Sequence, residues 1–177
     1  MDRHALIEHI PSLRRYARAL TGDVWAADDL VQDTLERACS KWRLWLLGSD
    51  LRAWLFTVMH NLYVSQVRHA VRQGELARPL DLAELDHEPA APTAPVDSAI
   101  DLQRCLLRLP EEQRVVLLLV TLEDLSYAEV ARITGAPLGT VMSRLSRARG
   151  RLQELMEPAP PQAHADVPPT PALRRLK

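Results

Sequence analysis

Apolar residues recur near the start of the chain at Leu6, Ile10, Leu13, Ala17 and Leu20, in steps of four and three. That spacing lays one stripe along an α-helix, whose turn takes about 3.6 residues. Gly22 is placed to stop this helix in a left-handed cap, and Asp23 to N-cap the next. A second stripe follows at Ala27, Val31, Leu35, Ala38 and Trp42, with acids early on the opposite face. Gly48-Ser49-Asp50 reads as a tight loop. A third helix is expected from Leu51 to about Arg72, with one stripe at Leu55, Val58 and Leu62 and another at Val64, Val67 and Val71. Trp42 and Trp45 are read as packing residues.

Periodicity is lost over residues 73–98, where four prolines and a run of acids predict a flexible linker. It resumes at Leu102, Leu106 and Leu109. Pro110 suits the first turn of another helix, and Val115, Leu118, Leu119 and Leu122 keep the helical step. The apolar run Val115–Val120 is read as helix rather than buried strand, since no partner strand is visible. Six prolines in residues 158–177 predict a disordered tail. The expected organisation is all-α. A helical domain occupies residues 1–72, an acidic Pro-containing linker 73–98, a second helical domain 99–157, and the tail 158–177. Each domain is small for an independent core, so modest stability or help from a partner is expected.

The second domain carries the sharper local signal. Ser126 and Glu129 have the spacing of a capping box. A short helix then runs to Thr134, Gly135 supplies a left-handed stop, Ala136-Pro137 turns the chain, and a last helix starts near Leu138 and ends near Leu155. This is the layout of a helix-turn-helix, with Ala131 small at the crossing and Val130, Val141 and Leu145 apolar between the helices. The last helix exposes Thr140, Ser143, Arg144, Arg147, Arg149 and Arg151, a face suited to the DNA major groove and to phosphates.

Charge sharpens the picture. The chain of 177 residues has a formal net charge of −1, yet the signs are segregated. Residues 23–40 hold five acids against Arg37 alone, residues 41–72 five bases against Asp50, residues 81–101 six acids and no base, and residues 138–152 four arginines and no acid. Alternating blocks of this kind point to several partners of different charge. No apolar run approaches the roughly 20 residues of a bilayer span, and the first residues lack a secretory signal, so a cytoplasmic protein is expected. Cys39 and Cys105 lie far apart and form no ligand spacing, so they read as plain thiols, with neither disulfide nor metal. No nucleophile–base pair, phosphate loop or metal spacing appears, so no catalytic residue, cofactor or small-molecule substrate is expected.

These motifs, taken in order, resemble the extracytoplasmic-function family of RNA polymerase sigma factors. Ser126-Tyr127-Ala128-Glu129-Val130-Ala131, Gly135, Gly139-Thr140-Val141, Ser143-Arg144-Leu145 and Arg147-Ala148-Arg149 look like its C-terminal promoter-binding domain. Leu109-Pro110-Glu111-Glu112-Gln113-Arg114 resembles the segment that opens that domain. Asp28-Asp29-Leu30-Val31-Gln32-Asp33 resembles the helix that binds core polymerase, and Arg52-Ala53-Trp54-Leu55-Phe56-Thr57 with Asn61-Leu62 the segment that recognises and melts the minus-ten element. The resemblance covers residues 4–72 and 98–156.

It implies a protein that binds core RNA polymerase through Asp28, Asp29, Gln32 and Asp33. It implies minus-ten recognition by Ser49, Asp50, Arg52, Trp54, Asn61 and Arg68, the Gly48–Asp50 loop capturing a flipped base. Minus-thirty-five recognition would fall to Thr140, Ser143, Arg144, Arg147 and Arg149. It further implies promoter DNA and an anti-sigma factor as partners. By analogy, the acidic linker (Asp81, Glu84, Asp86, Glu88, Asp97, Asp101) would thread the polymerase's nucleic-acid channel. The chain departs from the family pattern at Met142, Ser146 and Ser65, so no promoter sequence is carried over. The order of acidic helix, basic helix and acidic linker, and the arginines of the last helix, argue against two rival readings. A stand-alone regulator would enclose an apolar pocket in its first half and bind a palindrome as a dimer. An interaction protein, such as an adaptor or an anti-sigma factor, would never touch DNA.

Overall fold

The computed structural model describes residues 3–42, 50–73 and 96–157. The helix-ending signals act where the pattern placed them. Helix α1 (Arg3–Thr21) runs through Pro11 and ends at Gly22, whose φ of 75° is the left-handed cap. The Asp23 side chain accepts a 2.6 Å hydrogen bond from the Ala26 amide and starts α2 (Val24–Ser40). Asp50 likewise accepts from the Arg52 amide at 3.0 Å, at the head of α3 (Leu51–Gln73). Helix α4 (Val96–Leu107) and α5 (Glu111–Thr121) flank Pro110, which sits one position before the first turn of α5. Both halves of the Ser126/Glu129 capping box are formed at α6 (Tyr127–Thr134). Gly135 stops α6 at φ 67°, and α7 (Leu138–Met156) completes the helix-turn-helix. All seven regular elements among the described residues are helices, and none is long and apolar enough to cross a membrane.

Helix α2 packs between α1 and α3, while α7 packs on α4, α5 and α6. The two halves do not stand apart: α1 lies against α4 and α5, and α3 against α6. One contiguous core results. It joins Leu13, Tyr16, Leu20, Leu55 and Phe56 of the first half to Leu119, Val130 and Leu145 of the second. Tyr16 and Phe56 meet edge to face at 5.3 Å between ring centres, a favoured aromatic geometry. The shared core answers the size problem of two short domains, because each half removes from water a face the other cannot cover alone.

The buried stripe of α3 differs from the expected one. Leu55 is buried, but its companions are Phe56, Met59 and Tyr63, whereas Val58, Leu62, Val64 and Val67 are only half-buried and Val71 is 60% exposed. Helix α3 is covered by α2 on one side and by α6 on another, so the residues between those contacts become the core. Tyr16, absent from the expected α1 stripe, is fully buried, while Ile10 is half-buried. Leu102, expected in a core stripe, is 38% exposed at an apolar groove of about 920 Å³, with Leu106, Leu117, Leu122 and Leu152 and with Ala19 from α1.

Residues 73–98, the expected linker, overlap helix at both ends, since α3 reaches Gln73 and α4 begins at Val96. The remainder of the linker, the Gly48–Ser49 pair, Trp45 and the Pro-rich tail lie outside the described residues.

Candidate nucleic-acid interface

On α7, Thr140, Ser143, Arg144 and Arg147 share one face. Ser143 Oγ donates to the Thr140 carbonyl at 3.0 Å, and Arg147 bends back over Ser143 through its Nε and Nη2. Arg144 pairs with Glu112 at the start of α5. Arg149 is nine residues beyond Thr140, half a turn out of phase, and lines the apolar groove near Leu152 instead. The structure therefore brings together four of the five residues expected to read the minus-thirty-five element and turns the fifth away.

On α3, Trp54, Asn61 and Arg68 are spaced by seven and fall on one side of the helix. Trp54 is half-buried against the core, while Asn61 and Arg68 are exposed. Arg52 points elsewhere. Its guanidinium crosses to the second half, donating to the Glu123 carboxylate at 3.1 Å and to the Glu123 backbone carbonyl, and stacks over the Phe56 ring at 5.8 Å. Ser49 lies outside the described residues.

Part of α3 and the helix-turn-helix line one cleft of about 460 Å³, with His60, Val64 and Arg68 across from Thr134, Thr140 and Arg144; Trp54 and Asn61 are not in its lining. His60 Nδ1 is buried there with no hydrogen-bond partner among the described residues. Burial, helped by the nearby Arg144 charge, holds the His60 pKa below the usual histidine value. Both influences disfavour imidazolium. At the other side of this seam Arg114 of α5 donates to the Tyr63 hydroxyl at 3.0 Å and to the Leu107 carbonyl at 3.1 Å. Burial raises the Tyr63 pKa, and Arg114 acts in the opposite sense.

On α2 the acidic face is largely open. Asp29, Gln32 and Asp33 are exposed, and Asp28 is half-buried in a 3.0 Å pair with Arg14. Asp33 also accepts from Gln66 of α3 at 3.4 Å. Beneath this face, Ile10, Val31 and Leu35 floor a groove between α1 and α2. Asp28, Gln32 and Glu36 border this groove together with Arg14, while Asp29 and Asp33 are not in its lining.

Two matches to known families fall on the two halves. Residues 6–60 match the model "Sigma2 domain of PhyR", and residues 99–152 match "Sigma-70, region 4". The sequence is 38% identical over 154 residues to the ECF RNA polymerase sigma factor EcfG of Rhodopseudomonas palustris, covering 87% of this chain and 84% of that one. The chain belongs to the extracytoplasmic-function family of RNA polymerase sigma factors. It is 34% identical to the ECF sigma factor SigM of Mycobacterium tuberculosis, over 88% of this chain and 79% of the relative. The fold also matches the sigma factor RpoE of Bartonella quintana, solved in complex with the anti-sigma factor NepR. That match has a TM-score of 0.73 and 35% identity, over 86% of this chain and 94% of that one. As an alternative sigma factor, the protein is a regulator of transcription initiation that directs RNA polymerase to promoters.

Reading the sequence missed the residues that join the halves of this sigma factor: Arg15, His60, Tyr63, Arg114 and Glu123. Glu123 carried a faint signal, the first of two acids straight after the apolar α5 stretch. Nothing local pairs it with arginines more than seventy positions away.

Proposed function

We propose that this sigma factor docks on core polymerase through Asp28, Asp29, Gln32 and Asp33 of α2 and reads a two-part promoter with α3 and α7. Trp54, Asn61 and Arg68, with the Ser49–Asp50 loop, would meet the minus-ten element. Flipped bases need polar edges and aromatic or cationic faces, and this stripe carries both. Thr140, Ser143, Arg144 and Arg147 would enter the major groove at the minus-thirty-five element, without Arg149, which faces the apolar groove. The observation that carries this reading is the region 4 match over residues 99–152, with its basic face on the second helix of a helix-turn-helix. The protein acts in the cytoplasm, without catalytic chemistry of its own. The Bartonella relative is bound by an anti-sigma factor, which supports the same kind of partner here.

Run-off transcription with purified core polymerase on genomic fragments tests this reading. A sigma factor produces new, defined start sites, and Arg147→Ala weakens them by roughly 1–3 kcal/mol of promoter discrimination. If core polymerase neither binds the protein nor changes its start sites, the promoter reading fails.

A further inference from the structure

Among the described residues, Glu123 is the one buried acid or base, at 1% exposure. It belongs to the connection between α5 and α6, next to Asp124, which turns the chain with a left-handed φ of 50°. Its partners both come from the other half of the molecule. Arg15 of α1 donates to Oε1 through Nη2 at 2.9 Å and Nε at 3.3 Å, while Arg52 of α3 donates to Oε2 at 3.1 Å. The same two guanidiniums take the neighbouring carbonyls, Arg15 that of Leu122 and Arg52 that of Glu123. The burial is one-sided: the Glu123 side chain is 0% exposed, those of Arg15 and Arg52 are 56% and 32% exposed.

Parting of the halves would leave Arg15 and Arg52 on the first half without the carboxylate they share. Paired guanidiniums match the two oxygens of a carboxylate and of a phosphodiester alike. Arg52 also stands two residues after Asp50, at the end of α3 where the minus-ten strand is expected to arrive. We propose that Arg15 and Arg52 form an anion site for a backbone phosphate of promoter DNA, which Glu123 fills in cis while the halves are packed. DNA and Glu123 then compete for one site, and DNA binding is coupled to separation of the halves. Arg15 gains a role that its place on α1 does not suggest. This inference rests on α3 being the minus-ten face.

The test uses the full chain and a labelled mixed-sequence single-stranded 15-nucleotide DNA, read by fluorescence anisotropy across a salt series. Glu123→Gln, nearly isosteric but uncharged, should bind about tenfold more tightly than the parent protein. Its salt slope should steepen by about 0.7, the value for one more phosphate contact on a single strand. Adding Arg15→Gln and Arg52→Gln to Glu123→Gln should remove the gain. Small-angle scattering of the unaltered protein guards against a variant that fails to fold: its radius of gyration should rise when the oligonucleotide saturates it. Equal affinity of parent and a folded Glu123→Gln, a gain that survives loss of both arginines, or an unchanged radius at saturation overturns the proposal. Run-off transcription by the parent protein separates this failure from that of the promoter reading. Start sites without the Glu123 effect sink the anion site alone, and the Glu123 effect without start sites sinks the promoter reading alone.

Discussion

Two arginines of the candidate DNA surfaces are each held by a glutamate, and the two pairs differ in where the acid sits. Arg52 crosses from the first half to Glu123, whose side chain is 0% exposed, whereas Arg144 stays within the second half and meets Glu112, whose side chain is 69% exposed. A carboxylate taken out of water is costly unless its oxygens are filled, so Glu123 ties its arginines to one arrangement of the two halves. An exposed carboxylate exchanges its partner for water at little cost, so Glu112 leaves Arg144 available. The Glu123 contact across the seam is thus structural, and the Glu112 contact between α5 and α7 is permissive.

The largest test of that contrast uses two glycines with the same backbone. Gly22 has φ 75°, and an added Cβ would lie 2.5 Å from Leu107 Cδ1 of the other half; Gly135 has φ 67° with nothing within 4 Å. Gly22→Ala combines left-handed backbone strain with overpacking against Leu107 and should cost about 2–4 kcal/mol in urea unfolding. Glu123→Ala comes next. It strands two arginines that regain water in part, so a loss of roughly 2 kcal/mol is expected, below the usual figure for a broken buried pair. Gly135→Ala, with conformational strain alone, should cost about 1 kcal/mol. If it cost more than Gly22→Ala, the seam would not be the more tightly determined region.

His60 gives a pH version of the same contrast. Its folded pKa lies below the usual 6.5, because burial and then Arg144 oppose the charged form. Below pH 6.5 the unfolded chain takes up a proton that the folded chain refuses. Stability is therefore complete above that pH and falls as pH drops toward the folded pKa. Arg68, Glu111 and Glu112 line the same cleft, and burial raises the Glu111 pKa above 4.5, which opposes the His60 effect as the pH falls. The urea midpoint should fall between pH 7.5 and 5.5, and His60→Gln should reduce that fall. An unchanged difference in the variant would remove His60 from the account. The smallest effect is expected for Glu112→Ala, within about 0.5 kcal/mol, as for other exposed pairs.

How much of this was legible in the chain follows from range. Helix ends were legible because their chemistry is local: Asp23 caps an amide three residues on, Ser126 and Glu129 close their box over three residues, and Gly22 and Gly135 set their own φ. The buried face of α3 was not, because periodicity shows that a helix has an apolar side but not which neighbours will cover it. Phe56, Met59 and Tyr63 became core only where α2 and α6 arrived. For the candidate site, the membership of the α2 and α7 faces was readable from spacing and charge, apart from Arg149, where the count of cations hid a half-turn phase difference.

What the sequence by itself determined is therefore the set of helices, their caps, the order of the two halves and the family. All of these rest on patterns within a few residues or on motifs in series. Only the tertiary structure decided that the halves share one core, that Arg52 is committed to Glu123, and that His60, Val64 and Arg68 of α3 line a single cleft with Thr140 and Arg144 of α7. Those facts depend on pairs such as Arg15 with Glu123 and Tyr63 with Arg114, separated by 108 and 51 positions. Burial, which makes such pairs matter, comes into being only when the chain has folded.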